Sequence, residues 1–230
     1  MVIEPLVQGA AGIRLWPPGT LKTLREWCDR SGVLLIADEV LTGFGRTGPM
    51  FACQHESTFP NIMVLGKALS GGYLPLAITL VSEQIFEPFS AESGREGTLF
   101  YGHSYTGNAL GCAAAKASLE IFEQENVLEE LAGKIEVLRT ELSELRKLPR
   151  VAEVRQCGFI AGVELRNDRE SGQLGAAVCL AARRHGLLTR PIRDVVVLMP
   201  PFCITPAQIR DAVQAINAAI LEVCGEAVPA

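Results

Sequence analysis

The sequence predicts an α/β fold, with part of a large, mostly parallel-sheet domain followed by a small C-terminal α+β domain. Three observations predict it. Short continuous apolar runs (Val33–Ala37, Ile62–Leu65, Leu76–Val81) have the pattern of strands buried on both faces, as in parallel sheets. Each run ends in polar or glycine-rich residues, and a helically spaced segment precedes the first of them. From about Gly107 the chain changes character, first to long Ala/Leu/Glu-rich stretches and then to short strands alternating with helices.

In chain order, Val2–Val7 is a short apolar run that opens the sequence. Leu21–Arg30 carries Leu21, Leu24, Trp27 and Cys28 at helical spacing, with Thr20 as its cap. The strand Val33–Ala37 follows, then Ile62–Leu65 and Leu76–Val81. Ala109–Gln124 and Val127–Leu148 read as one long connecting helix over about 109–148, interrupted only by Asn126 and Gly133. Beyond Pro149 come strands at Val151–Arg155, Ile160–Leu165, Leu187–Arg190 and Val195–Met199. A last helix has Thr205 as cap, Pro206 in its first turn and an end near Cys224. The expected division is a large domain over 1–125 and a small one over 126–230. No internal repeat or flexible linker is visible. The chain opens inside what reads as a strand, so the sheet looks incomplete.

Composition narrows the class. The 230 residues are 48% hydrophobic, which excludes low-complexity disorder. Lys plus Arg number 21 against 26 Asp plus Glu, a net charge of -5 without a basic stripe, so nucleic acid is not an expected partner. The sequence lacks both a long apolar span and the pattern of a signal peptide, which favours a cytoplasmic protein with no membrane partner. The seven cysteines are odd in number and never spaced C-x-x-C, which favours small buried thiols over disulfides or zinc. The three histidines, His55, His103 and His185, lie far apart, and no metal site is expected.

Two strand ends carry groups suited to chemistry. Asp38 and Glu39 follow the Val33–Ala37 run, at the carboxyl edge where open α/β sheets bind ligands. A carboxylate there can meet a cation or a protonated ring nitrogen, or it can be an ordinary surface acid. Gly43, Gly45 and Gly48 spell G-x-G-x-x-G, but Pro49 follows at once and no acid lies some twenty residues on. A tight loop is therefore the better reading than a dinucleotide site. Lys67 lies just past Ile62–Leu65, where Asn61 and Ala68 break the Walker A pattern. Gly66, Ala68, Ser70, Gly71 and Gly72 leave room around it, and a partly desolvated lysine is a potential nucleophile as well as a possible surface residue. A lysine for a Schiff base and an acid for a pyridinium nitrogen are the pair that pyridoxal phosphate requires.

The segments IADEVLTGFGRTG, LGKALSGGYLPL and EPLVQGAAG resemble the class III aminotransferases of the pyridoxal-phosphate transferase fold type I. LWPPGTLKTLREWCDRSGVLLIADEV, MFACQH, GHSYTGN and TRPIRDVVVLMPPFCITP narrow the likeness to the subfamily that aminates 8-amino-7-oxononanoate in biotin synthesis. The resemblance implies pyridoxal 5'-phosphate as cofactor, Lys67 as the lysine that holds its aldehyde, Asp38 as partner of the ring nitrogen and Val40 against one ring face. In GHSYTGN it implies Gly102 beside the substrate, with His103 and Ser104 offering backbone and hydroxyl to the cofactor phosphate. Many relatives have Pro-Thr where this chain has His103-Ser104. It also implies that Arg190 grips the substrate carboxylate, a task suited to the planar guanidinium fork. Arg46 is expected to order its loop.

The same resemblance implies small-molecule partners (a keto acid acceptor, and S-adenosylmethionine or lysine as donor) and a homodimer that shares the GHSYTGN loop between subunits. Family members are roughly twice as long. Their N-terminal half supplies the Gly-Ser phosphate loop and the aromatics of the cofactor and substrate sites, so this chain corresponds to their C-terminal half. Two alternatives stand beside the leading one: another class III transaminase acting on ω-amino acids, and a non-catalytic fragment or interaction module.

Overall fold

The computed structural model describes residues 1–90, 97–166 and 173–225. The chain divides into two compact units, one of Met1–Leu6, Trp16–Phe44 and Pro49–Asn126, the other of Val7–Leu15, Gly45–Gly48 and Val127–Ala230. The second unit thus takes in two short pieces from the first half of the chain, which local sequence patterns do not reveal.

The first unit is built on a sheet of β1 (Val2–Ile3), β4 (Ile36–Asp38), β5 (Ile62–Leu65) and β6 (Ile78–Val81), in that spatial order. β1, β4 and β5 are mutually parallel, and Asp38 stands opposite Val64. β6 is antiparallel to β5, because only a 3-10 turn (Lys67–Ser70) and a short loop join them in place of a crossover helix. β4 starts at Ile36, later than the apolar run suggests. Val33 N–H closes the end of helix α1 (Thr20–Ser31) on Cys28 O at 3.0 Å, and Leu35 N–H goes to Asn61 Oδ1 at 2.8 Å. Thr20 does not cap α1. The Glu56 carboxylate does so from a distance in sequence, accepting from Gly19 N–H and Lys22 N–H at 2.8 Å each. Ile3, Leu21, Cys28, Leu35, Ala37 and Cys53 form one buried cluster, and Phe44, Leu65, Leu69 and Ala115 another.

The expected long helix is two helices. After the short helix α2 (Glu83–Phe86), α3 (Ala109–Gln124) ends at Glu125, and α4 (Val127–Leu145) starts after Asn126, whose φ of 48° is left-handed and stops the helical path. Gly133 lies inside α4 without breaking it.

The second unit holds an antiparallel sheet ordered β7 (Val151–Cys157), β8 (Ile160–Leu165), β10 (Val195–Leu198) and β9 (Pro191–Ile192). A small hairpin of β2 (Val7–Gln8) and β3 (Arg14–Leu15) belongs to the same unit. Leu187–Arg190, expected as a strand, is irregular. Pro191 has no N–H for a ladder, and the Thr189 hydroxyl reaches Val197 O in place of a backbone donor. α4, α5 (Gln173–Arg184) and α6 (Pro206–Cys224) supply the helical part of the core, with Leu138, Phe159, Val178, Val196 and Ile216 fully buried within it. Thr205 caps α6 as expected, accepting from Gln208 N–H at 3.2 Å while Gln208 Oε1 accepts from Thr205 N–H.

Of the seven free cysteines, Cys28, Cys53 and Cys179 are buried and Cys157 and Cys224 half-buried, but Cys112 and Cys203 are exposed. Among the described residues no helix is long and apolar enough to cross a membrane, and no group of three His, Cys, Asp or Glu could hold a metal ion.

Candidate active site

The carboxyl edge of the parallel strands in the first unit gathers three of the sequence-predicted residues. Asp38 is the last residue of β4, and Lys67 lies just beyond the end of β5, the neighbouring parallel strand. Register places Asp38 beside Val64, so both functional groups leave the sheet at the same rim. Asp38 is half-buried, and its Oδ1 accepts from Val40 N–H at 3.1 Å. Val40 stacks on the residue before the lysine: a Cβ placed on Gly66 would lie 3.5 Å from Val40 Cγ1.

Lys67 is exposed and opens the 3-10 turn with a φ of 44°, a conformation that a residue with a Cβ adopts only under constraint. The constraint comes from around it. Leu69 and Ser70 are buried, Ser70 Oγ donates to Leu74 O at 2.5 Å, and Ser118 Oγ of α3 donates to Ala68 O at 3.2 Å. The lysine therefore stands on a fixed base with its amine free to reach over the rim.

Glu39 takes no part in the rim. It is fully buried, and its carboxylate accepts from Thr42 Oγ1, Ala52 N–H and Cys53 N–H at 2.7, 2.9 and 2.8 Å, capping the 3-10 turn Ala52–Glu56. Burial first, and then the Glu39 charge, push the Cys53 thiol far above its ordinary range. The Gly43–Gly48 segment is a turn with no helix opening from it, as the loop reading expects.

Gly102, His103 and Ser104 lie in the exposed segment 101–107 of the first unit, ahead of α3. His103 is engaged within that loop. Its N–H donates to Thr106 Oγ1 at 2.9 Å and its Nδ1 accepts from Tyr105 N–H at 3.1 Å, so the backbone donor expected for the cofactor phosphate is taken up within the loop, and Ser104 is exposed beside it. Asn108 ends the loop by capping α3, accepting from Gly111 N–H at 2.7 Å.

Arg190 belongs to the second unit, exposed, in the irregular stretch before β9, with its carbonyl accepting from Val197 N–H at 3.3 Å. In the same unit Arg46 lies 4.3 Å over the Phe202 ring and donates to Pro200 O at 2.7 Å. Burial lowers its pKa to about 10. It ties its loop to the one after β10, the ordering role expected of it.

Comparison with known proteins decides the family. The family model for "Aminotransferase class-III" matches residues 1–220. The chain belongs to the class III aminotransferases. Among relatives of this family, the adenosylmethionine-8-amino-7-oxononanoate aminotransferase of Nitratidesulfovibrio vulgaris is 49% identical over 230 residues, covering 97% of this chain and 42% of that protein. The enzyme of the same name from Geobacter sulfurreducens is 47% identical, over 98% of this chain and 51% of its own length. The crystal structure of its Methanocaldococcus jannaschii namesake superposes with a TM-score of 0.93 at 41% identity, covering 96% of this chain and 53% of that one. The ω-transaminase of Pseudomonas jessenii in complex with PMP gives 0.91 at 34% identity, over 96% and 50%. The class III chain described here spans about half the length of the curated relatives it matches. Its fold is that of class III transaminases, of which the present structure holds a mixed sheet and an α+β unit.

The sequence reading set Glu39 beside Asp38 at the strand end and did not foresee its burial, and it passed over Glu56 and Ser118. Neither of the last two had a signal, since the groups they bond lie dozens of residues away.

Proposed function

We propose that this chain carries about half of a pyridoxal-phosphate-dependent aminotransferase that converts 8-amino-7-oxononanoate to 7,8-diaminononanoate, with S-adenosylmethionine as amino donor. One observation carries the reading. A carboxylate and a primary amine, Asp38 and Lys67, emerge from adjoining parallel strands at one rim, with Val40 between them. That donor set fits pyridoxal phosphate, whose ring nitrogen needs an acid and whose aldehyde needs an amine. The names of the relatives supply the substrates.

The cofactor, when bound, supplies an electron sink that lets an amino group pass from one carbon skeleton to another. This chain's residues do the rest. Asp38 would meet the ring nitrogen and keep it protonated, and Val40 would bear on the ring face. The Lys67 amine would hold the cofactor's aldehyde and would serve as the base that moves a proton at its Nζ. Ser104, framed by His103, offers its hydroxyl to the phosphate, and Gly102 leaves room for substrate. Arg190 binds the carboxylate of the oxononanoate. A homodimer, a soluble cytoplasmic setting and the domain division 1–125/126–230 belong to the same proposal.

The test is to add pyridoxal phosphate to the purified chain, reduce with borohydride and map the labelled peptide. The expected result is a visible absorption band before reduction and a pyridoxyl label on Lys67. Label scattered over surface lysines would overturn the reading. A panel of amino donors and acceptors separates it from the ω-amino acid alternative, which the ω-transaminase structural neighbours keep in view.

A further inference from the structure

Glu39 is the one fully buried carboxylate in the described first unit that the proposed chemistry does not use. Removing a carboxylate from water costs several kcal/mol before compensation, far more than the cap of a single 3-10 turn returns. The compensation here is unusually complete. Besides Thr42 Oγ1 and the Ala52 and Cys53 amides on its side chain, Glu39 donates its own N–H to Val64 O at 3.0 Å and accepts Gly43 N–H on its carbonyl at 2.9 Å. The turn is tight as well: a Cβ on Gly43 would lie 2.9 Å from Glu39 O. These bonds all converge on the residue between Asp38 and Val40. Asp38 itself is held less firmly, by one 3.1 Å bond from Val40 N–H.

We infer that Glu39 is a positioning residue: anchored at both backbone atoms and at its carboxylate, it fixes the peptide planes on either side of it. It thereby directs the Asp38 carboxylate at the ring nitrogen and Val40 at the ring face. The inference rests on the proposed function, since the group it serves is the cofactor. It never touches the cofactor and acts through its two neighbours.

The experiment compares the unaltered chain with Glu39→Gln, Thr42→Val and Asp38→Asn by two readouts. Without cofactor, hydrogen exchange is followed at the Val40, Ala52 and Cys53 amides. With pyridoxal phosphate, the pH profile of the visible band is recorded. Glu39→Gln sets an amide NH2 against a backbone donor, so Val40 exchange should quicken by about tenfold, the change that follows from losing one buried hydrogen bond. Its pH profile should move in the direction of Asp38→Asn. Thr42→Val removes one donor and should give the same two changes, smaller. Asp38→Asn should move the profile and leave the Ala52 and Cys53 amides alone.

If Glu39→Gln frees the Ala52 and Cys53 amides while Val40 exchange and the pH profile stay unchanged, Glu39 is a cap only and the inference falls. If Asp38→Asn leaves the profile where it was, the cofactor reading of Asp38 fails and takes the inference with it. Should Glu39→Gln not fold, Thr42→Val decides by the same two readouts.

Discussion

Asp38 and Glu39 adjoin in sequence, yet one ends at a rim and the other in the core, because successive residues at the end of a strand point to opposite sides. The same contrast separates the two arginines of interest. Arg46 is locked by Phe202 and Pro200, whereas Arg190 is exposed on irregular backbone with its guanidinium free to meet a ligand. Replacing Arg190 with Ala should raise KM for the carboxylate-bearing acceptor by at least about tenfold, the worth of a charge-assisted pair, while the donor half-reaction changes far less. Equal losses for both substrates in separate half-reaction assays would remove its assigned role. Burial pushes the Cys157 thiol from 9.0 up to about 11. In the unfolded chain this thiol loses its proton near its ordinary value, while the folded chain still holds it. Its contribution to stability is thus fully present below about pH 9 and lost as pH rises towards 11. Denaturant titrations from pH 8 to 11 should show a steeper fall in stability for the unaltered chain than for Cys157→Ala.

At the scale of elements, the sequence reading erred mainly at ends. Helix and strand cores follow local pattern, but some ends are set by partners remote in sequence. α1 shows this. Its apolar face was legible, but the cap came from Glu56 and not from Thr20. Glu56→Ala should cost about 1 kcal/mol of stability, as the loss of a helix cap does. Thr20→Ala should cost less, since its hydroxyl only donates to Pro17 O at 2.7 Å. Thermal unfolding of the two variants checks the order. The break between α3 and α4 was hinted at by Asn126, a residue that tolerates the left-handed region, and only its φ shows that it ends the helix. α6, with Thr205, Pro206 and Gln208 in one local motif, was legible in full.

Over the whole molecule, the two units differ in how they meet water. The described part of the first carries many strongly exposed large apolar side chains, among them Phe59, Tyr73, Phe100, Tyr101, Tyr105 and Leu110. Leu188 is the main such residue described in the second. Contiguous apolar surface drives association. The purified 24.8 kDa chain should therefore run above its monomer mass in light scattering at micromolar concentration. A monodisperse monomer without cofactor would favour the interaction-module alternative.

The sequence by itself determined the α/β class, the two strand ends with their acid and lysine, three of the four C-terminal strands and the final helix. Each of these is written in local periodicity or in a contiguous motif. Only the tertiary structure decided that β6 runs antiparallel, that the strands of the second unit are antiparallel, that residues 7–15 and 45–48 join the second unit, that His103 bonds within its own loop, and that Glu39 is buried against the turn at Ala52 and Cys53. Those features depend on hydrogen bonds and packing between residues far apart in the chain, or on side-chain choices among several local partners, and spacing along a sequence does not encode them.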